Sequence, residues 1–316
     1  MEKTSRIFVA GHRGLVGSAL VRRLVSEGYT NVRSAARADL DLTDSKAVRL
    51  FFERERPEFV FVAAARAGGI LANRTYPAEF IYSNLMIQTA VLHAAHLSGV
   101  RRLLFFGCAC AYSNEAPQPM KEELLLSGSL EPTSEPYAVA KLAGMKMCEA
   151  YNRQYRTAFV SVIPASVYGP HDHFDLESSH VLSALLGKFH RARGGSAPVV
   201  VWGTGAPRRE FLYVDDVADA CLFLMSLDDS TFASVVGFPG SVVNAGMGDD
   251  IAIKELALLV KDVVGFTGGV EFDMSKPDGA PRKLLDSGRL RALGWAPKTS
   301  LDEGIRRTYE WYRGAA

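Results

Sequence analysis

Apolar and polar positions follow two different periods along the first half of this chain. We predict strands at the short apolar runs 7–10, 59–64, 103–107 and 159–164, and a further strand near 31–35, after the first helix. We predict helices where apolar residues recur at helical spacing, over 15–27, 85–97 and 135–155. Strands that alternate with helices predict an α/β fold built on a doubly wound parallel sheet, the Rossmann arrangement.

The regular alternation loosens beyond Tyr168. Glycines and prolines cluster there, and we predict shorter helices over 181–192, 251–264 and 301–312. We therefore expect a dinucleotide-binding domain over residues 1–168 and about 206–245. A smaller, discontinuous C-terminal substrate-binding lobe would take about 169–205 and 246–316. Such a lobe would cover the carboxyl edge of the sheet, where open α/β sheets bind ligands.

Composition excludes several classes of partner. The 316 residues carry 36 Lys and Arg against 35 Asp and Glu, so no basic surface favours nucleic acid. No apolar run is long enough to cross a bilayer, and no secretory leader pattern is present. The four cysteines lie within apolar stretches, which fits reduced thiols in the cytoplasm rather than a disulfide framework.

A glycine-rich turn follows the first predicted strand and opens the first predicted helix. Its glycines are spaced Gly-x2-Gly-x2-Gly, and turns of this kind let the backbone close on a pyrophosphate at a helix N-terminus. A tight structural βα connection is the alternative for the turn taken alone. The residues predicted to hold a dinucleotide here are Gly11, His12, Arg13, Gly14, Leu15, Val16 and Gly17.

The end of the second strand indicates which dinucleotide binds. NAD-specific folds place an acidic residue about 20 residues beyond the glycine turn to hold the ribose 2′-hydroxyl. Arg37 stands near that place, and Arg13 projects from the glycine turn. Two guanidinium groups suit a 2′-phosphate, so we predict NADP(H). The alternative is that both arginines are simply solvated.

Tyr137 and Lys141 lie one helical turn apart on the predicted helix 135–155, so they share a face. A phenol is a weak acid, and a lysine near the cofactor ribose would favour its phenolate and make it usable in proton transfer. On the helix after the fourth strand of a dinucleotide fold, Tyr-x3-Lys resembles the short-chain dehydrogenase/reductase superfamily, in its extended branch that modifies nucleotide sugars.

Further motifs narrow the resemblance to the GDP-L-fucose synthase family, nearly end to end. They are the stretches at 10–18, 75–78, 134–138, 168–172, 201–205, 209–212, 276–279 and 281–283. The resemblance implies NADPH-dependent 3,5-epimerisation and 4-reduction of GDP-4-keto-6-deoxy-D-mannose to GDP-L-fucose. It also implies a homodimer, in which helices 85–97 and 135–155 would pair with their symmetry mates.

The resemblance assigns roles to individual residues. Cys110 and His180 match the pair that moves protons at C3 and C5, and Tyr137 would protonate the C4 oxygen. Alternatives are a core position for Cys110 and a helix N-terminal polar group for His180. Further cofactor contacts are expected from Asp41, Leu42, Ala63, Ala64, Lys141, Pro164, Val167 and His180. Nucleotide and sugar contacts are expected from Lys188, Trp202, Arg209, Asp278 and Lys283.

Several positions depart from the family pattern around the sugar. The family has Gly-Ser-Ser-Cys where this chain has Gly-Cys-Ala-Cys, so Cys108 is the candidate that replaces the serine donor to the 4-keto oxygen. If residues 108 and 110 continued a strand, both thiols would face one side. Lys188 stands in place of an arginine, and Arg66 in place of a lysine.

These departures leave other functions open. One is epimerisation, reduction or both on a related GDP-4-keto sugar, such as a heptose or a 3,6-dideoxy sugar. Another is a non-catalytic NADP(H)-binding module, which the retention of Cys110, Tyr137, Lys141 and His180 disfavours. His171, Asp172 and His173 lack the spacing of a metal site, so we expect no metal.

Overall fold

The computed structural model describes residues 1–176, 179–276 and 278–315. Its strands are β1 (Ile7–Ala10), β2 (Val32–Arg33), β3 (Phe59–Val62), β4 (Arg102–Phe106), β5 (Phe159–Pro164), β6 (Ser166–Tyr168), β7 (Val199–Trp202), β8 (Arg208–Arg209), β9 (Phe211–Tyr213), β10 (Val242–Ala245), β11 (Ile251–Ala252), β12 (Val270–Asp273) and β13 (Arg282–Lys283). Its α-helices are α1 (Leu15–Ser26), α2 (Ser45–Glu55), α3 (Ile70–Thr75), α4 (Pro77–Leu97), α5 (Glu135–Tyr155), α6 (Val181–Ala192), α7 (Val214–Ser226), α8 (Asp229–Val236), α9 (Ile253–Val264), α10 (Gly288–Ala292) and α11 (Leu301–Ala315).

Six strands form the main sheet in the order β10-β5-β4-β3-β1-β2, and every neighbouring pair is parallel. Helices α1 and α7 pack together, and α4 packs against both α2 and α5. Strands β1, β3 and β4 are buried along their whole length, as their apolar sequences predict, and β4 adds the buried Arg102 at its start. The predicted doubly wound α/β fold is confirmed, and its winding reverses between β1 and β3.

Helix α4 begins at Pro77, two turns before the predicted start at residue 85. Proline suits the first helical position, because its missing N–H would have no partner there. In its first turns, residues 77–79 are exposed and Phe80 is buried, so this part lacks the continuous apolar stripe on which the prediction relied. Helix α4 packs along α5.

A second, smaller core lies apart from the sheet. Helices α6, α9 and α11 pack around it, with β7 paired to β12 beside them. Its fully buried side chains include Leu186, Phe189, Leu256, Val260 and Ile305. The segment that follows β13 returns to the main core through Leu285, Leu290 and Trp295. The lobe boundaries expected from the sequence stay a prediction.

A three-stranded sheet, β11-β8-β13, stands next to the second core and gathers three distant segments of the chain. Strand β8 pairs antiparallel with β11 and parallel with β13. None of the helices in the described ranges combines the length and apolar character needed to span a bilayer.

Candidate active site

The glycine turn lies at the switch point of the main sheet, directly after β1. Gly11 has φ +85°, and a Cβ there would lie 2.6 Å from the backbone N of Ala64 after β3. A Cβ on Gly17 would lie 2.0 Å from the carbonyl O of Gly11, so α1 rests directly on the turn. Neither position admits another residue without backbone movement.

Gly14 differs from the other two glycines, because the structure leaves room for a Cβ there. The nearest atom would be the Gly11 carbonyl O at 3.6 Å, and Gly14 is the N-cap residue of α1 with no side-chain cap. The first N–H groups of α1 therefore have no side chain over them and face the crevice beyond β1. This cradle fits the pyrophosphate of a dinucleotide.

The remaining expected cofactor residues lie along the same carboxyl edge. Arg13 is exposed, and Arg37, with 84% of its side chain exposed, reaches Asp41 with Nε 3.9 Å from Oδ2. Hydrogen bonds from Thr43 lower the pKa of Asp41 and fix its carboxylate. The other positions are partly buried. His12, Ala63, Ala64 and Pro164 lie at or just after the ends of β1, β3 and β5, Leu42 lies in the loop before α2, and Val167 lies within β6.

Tyr137 and Lys141 occupy the first two turns of α5, and the ring centroid of Tyr137 lies 6.2 Å from that of Phe80 on α4. Lys141 is only 3% exposed, with Nζ 4.4 Å from the ring centroid of Phe105. Burial lowers the pKa of Lys141 to about 8. Burial, followed by the nearby Cys108 and Cys110, raises the pKa of Tyr137 well above its usual value. Burial thus opposes the phenolate and favours the phenol, the form that donates a proton.

Cys108 and Cys110 do not continue a strand, so the expectation that they share a strand face was wrong. Strand β4 ends at Phe106, Cys108 is extended with φ −151° and ψ 150°, and a 3₁₀ turn spans Ala109–Ala111. The turn brings the two thiols together by another route, and Cys108 donates a hydrogen bond to Cys110.

Several groups favour the thiolate of Cys110. The hydrogen bond from Cys108 contributes most to lowering its pKa, with further contributions from the charge of Lys283, a hydrogen bond from Ser134 and the charge of His180. The same pairing, together with burial, raises the pKa of Cys108. Ser134 was not identified as functional from the sequence, although it directly precedes α5 within the matched 134–138 motif.

His180 is the N-cap residue of α6 and is exposed. Its side chain makes no capping hydrogen bond, so a structural capping role does not account for the histidine. Its charge acts on both Cys110 and Asp172. Asp172 accepts hydrogen bonds from the hydroxyl of Ser183 and the backbone N of His173, which holds the turn before α6.

Arg209 and Lys283 extend the site away from the cysteines. They lie opposite each other in the β8–β13 pair, and the charge of Cys110 acts on Arg209. Asp250 accepts hydrogen bonds from Nε of Arg208 and Nε of Arg282, the residues next to them, and so joins all three strands of the small sheet. Two cationic side chains are thereby fixed near the thiolate.

The outer rim of the site carries an exposed aromatic ring. Trp202 is 49% exposed, so its ring is not part of the core. Nζ of Lys188 lies 5.5 Å from its ring centroid and Nζ of Lys276 lies 5.6 Å from it. Lys188 also donates to the carbonyl O of Val200 at 2.9 Å. An exposed ring beside two cations suits a nucleotide base or ribose next to phosphates.

Asp278 fixes the turn between this ring and Arg209. Its carboxylate accepts from the backbone N of Thr204 at 2.9 Å and from the Thr204 hydroxyl at 2.6 Å. A Cβ on Gly279 would lie 2.8 Å from Nη2 of Arg209, so this turn approaches the guanidinium closely. Among the residues with a described position, no group of three His, Cys, Asp or Glu could hold a metal ion.

Comparison with known proteins agrees with this geometry. A family model described as the NAD dependent epimerase/dehydratase family matches residues 7–237. GDP-L-fucose synthase 1 of Arabidopsis thaliana is 53% identical over 312 residues, covering 98% of this chain and 94% of the relative. GDP-L-fucose synthase of Escherichia coli (strain K12) is 52% identical over 308 residues, covering 97% and 96%.

A solved structure carries the same fold with a cofactor. GDP-mannoheptose C4 reductase from Campylobacter jejuni with NADP bound has a TM-score of 0.89 and 40% identity, over 99% of each chain. The chain belongs to the NAD dependent epimerase/dehydratase family, and within it to the GDP-L-fucose synthase group. The resemblance inferred from the motifs is confirmed, as are an epimerase/reductase of the short-chain dehydrogenase/reductase type and NADP(H) as its cofactor.

Proposed function

We propose that this enzyme converts GDP-4-keto-6-deoxy-D-mannose to GDP-L-fucose by 3,5-epimerisation followed by 4-reduction. The observation that carries the proposal is the placement of the Cys110 thiol, in surroundings that favour its thiolate, within interaction range of the protonated Tyr137. A base for carbon acids and an acid for the carbonyl oxygen thus lie in one site. The curated relatives with 52–53% identity support the choice of substrate.

Cys110 and His180 divide the proton transfers of epimerisation. Hydrogens at C3 and C5 are acidic because each carbon adjoins the 4-keto group or its enol. The thiolate of Cys110 takes a proton, and His180, which is exposed and uses no side-chain capping bond, returns one. Each inversion leaves the number of protons on the sugar unchanged.

Reduction uses the other half of the site. NADPH supplies a hydride when it is bound in the glycine cradle. Tyr137 donates its phenolic proton to the C4 oxygen, and the buried Lys141 offers an ammonium toward the developing phenolate. Arg209 and Lys283 bind the diphosphate, with Trp202 and Lys188 at the nucleoside end and Asp278 supporting both.

A test separates the two half-reactions. The protein is incubated with GDP-4-keto-6-deoxy-D-mannose in heavy water, with and without NADPH. We expect deuterium at C3 and C5 without NADPH, and loss of NADPH absorbance when it is present. Tyr137→Phe should keep the exchange and lose NADPH oxidation, and Cys110→Ser should lose exchange. Tyr155→Phe, at the far end of the same helix, is the matched control and should change neither.

A related GDP-4-keto heptose is the second candidate substrate. Cys108 and Lys188 replace family residues near the sugar and nucleotide, and a GDP-mannoheptose C4 reductase shares 40% identity with this chain. Parallel assays with both sugars decide between them. If kcat/KM were at least tenfold higher for the heptose, the heptose sugar and not the deoxymannose sugar would be the substrate. Absence of both activities in folded, NADPH-binding protein would favour a non-catalytic module.

We further propose a homodimer that operates in the cytoplasm. Helices α4 and α5 pack together and leave Tyr82, Leu97, Val139 and Tyr155 exposed, which is an apolar surface suited to a symmetry mate. The four cysteines are free thiols, as a reducing compartment maintains. Sedimentation at micromolar concentration would contradict the dimer if it gave the mass of one chain.

A further inference from the structure

The two thiols of the site are separated by one residue, and that residue is helical. The 3₁₀ turn spans Ala109–Ala111, with the carbonyl O of Cys108 accepting from the N of Ala111 at 3.1 Å. Around a helical residue, the two flanking Cα atoms lie about 5 Å apart. That spacing is inside the range of roughly 4.4–6.8 Å that disulfides require, whereas an extended Ala109 would place them near or beyond its upper limit.

The two side chains interact directly, since a hydrogen bond from Cys108 is the largest contribution to the lowered pKa of Cys110. Because Ala109 is helical, the two Cα atoms also have the spacing that a bond between the sulfurs requires. Both residues are partly exposed, while Cys148 and Cys221 are buried. Lys283, Ser134 and His180 stabilise negative charge on Cys110, and a thiolate is the form that oxidants attack.

We propose that Cys108 and Cys110 form a reversible disulfide when the site meets a peroxide. The thiolate of Cys110 attacks a peroxide oxygen, the O–O bond breaks, and Cys110 becomes a sulfenic acid as hydroxide leaves. Cys108 then loses its proton to that hydroxide, its sulfur attacks the sulfur of Cys110, and the sulfenic oxygen leaves as hydroxide. Overall, one hydrogen peroxide is reduced to one water and one hydroxide, and one thiolate and one thiol are oxidised to one disulfide.

The disulfide would act on one half of the site only. It removes the base of the epimerisation and the donor that supports it, while the glycine cradle and Lys141 are untouched. The oxidised protein should therefore still bind NADPH and no longer exchange deuterium into the sugar. This loss of exchange rests on the proposed function, whereas the disulfide itself does not. The bond would also protect Cys110 from further, irreversible oxidation.

The test reads the covalent state directly. A tryptic peptide covering 103–121 contains both thiols and no other cysteine. After treatment with hydrogen peroxide and alkylation, we expect this peptide to be lighter by two hydrogens and to carry no alkyl group. Dithiothreitol should restore two alkylatable thiols. Peptides with Cys148 and Cys221 from the same digest are internal controls and should stay reduced, since both side chains are fully buried.

The variant Cys108→Ser removes the resolving thiol and keeps a small polar side chain. Each variant is compared with its own untreated state. We expect peroxide to add two oxygens to Cys110 in this variant, located by fragment ions that distinguish Cys110 from Met120, with no recovery in dithiothreitol. NADPH binding followed by fluorescence should persist in oxidised wild-type protein.

Three results would overturn the proposal. They are wild-type Cys110 oxidised to a sulfinic acid beside a free Cys108, a disulfide joining two chains, and wild-type thiols that stay reduced while Cys110 of the Cys108→Ser variant is oxidised. An intramolecular disulfide in protein that shows no exchange when reduced would leave this proposal standing and contradict the proposed function instead.

Discussion

Lys283 lies directly opposite Arg209 in the short parallel pair of β8 and β13. Strands of two residues have few ladder hydrogen bonds, so their positions depend on side chains. Asp250, whose side chain is 3% exposed, accepts from the guanidinium groups of Arg208 and Arg282, one on each strand. One carboxylate, whose oxygens are taken up by two neighbouring arginines, therefore helps to hold the two strands that carry the cations of the proposed diphosphate site.

Asp250→Asn should weaken substrate binding without touching the cofactor site. An amide cannot accept two charged guanidinium groups equally well, so β8 and β13 should loosen. We expect KM for the GDP sugar to rise about tenfold, with NADPH affinity unchanged. Asp302→Asn, in an exposed pair with Arg306, is the control and should change neither value. A fall in NADPH affinity of the same size would contradict a local role.

Gly14→Ala and Gly17→Ala should fail in different ways. A methyl group at Gly14 meets only the Gly11 carbonyl O at 3.6 Å, so the fold should keep its melting temperature while NADPH affinity falls at least about tenfold. A methyl group at Gly17 would lie 2.0 Å from the same oxygen. We expect this variant to lose about 3 kcal/mol or more of unfolding free energy. Thermal melts and NADPH titrations of both proteins test the distinction.

Arg37→Ala should change the choice between cofactors. The guanidinium is exposed and paired only loosely with Asp41, at 3.9 Å, so it can turn to a 2′-phosphate. We expect NADPH affinity to fall about tenfold or more, about 1.4 kcal/mol, and NADH affinity to change little. Arg54→Ala, another exposed arginine, is the comparison. Equal losses for both cofactors would exclude a 2′-phosphate contact.

Lys141 should impose a pH limit on cofactor binding. Burial lowers its pKa to about 8, so the ammonium is present below that pH and is lost as the pH rises through it. NADPH affinity should be level up to about pH 8 and fall above it, by up to about tenfold per pH unit. Titrations from pH 6.5 to 9.5 measure this, with the exposed Lys146→Gln as control. An unchanged affinity at pH 9.5 would contradict the assignment.

Much of the fold was predictable because its signals are local. Continuous apolar runs identified β1, β3, β4 and β5, and helix periodicity identified α1 and α5 within a residue at each end. Helix α2 was not predicted, although Asp44 caps it through the N–H groups of Lys46 and Ala47. Only three of its residues are buried, so the helical apolar pattern is weak in a largely charged sequence. The helix is held in place by ring contacts of Phe51 and Phe52 with Phe8 of β1.

The sequence predicted which residues form the site better than it predicted their conformation and protonation. The motifs named the cysteines, but extrapolating β4 through Cys110 missed the turn, because strand ends depend on pairing that the sequence does not display. Lys141 was expected to favour the phenolate of Tyr137, whereas burial raises the pKa of the phenol and lowers that of the lysine. Such effects arise from surroundings assembled from distant segments, which spacing along the chain does not report.

The three strands of the small sheet have a consequence for synthesis on the ribosome. All strands of the main sheet precede residue 246, whereas β13 begins 74 residues after β8 begins, at Arg282 rather than Arg208. At translation rates of about 5–20 residues per second, β8 waits roughly 4–15 seconds for its partner. A nascent chain can thus form the glycine cradle for the cofactor before Arg209 and Lys283 come together at the proposed diphosphate site. Cellular NADPH is then positioned to act as a folding ligand for the growing chain before any sugar can be bound.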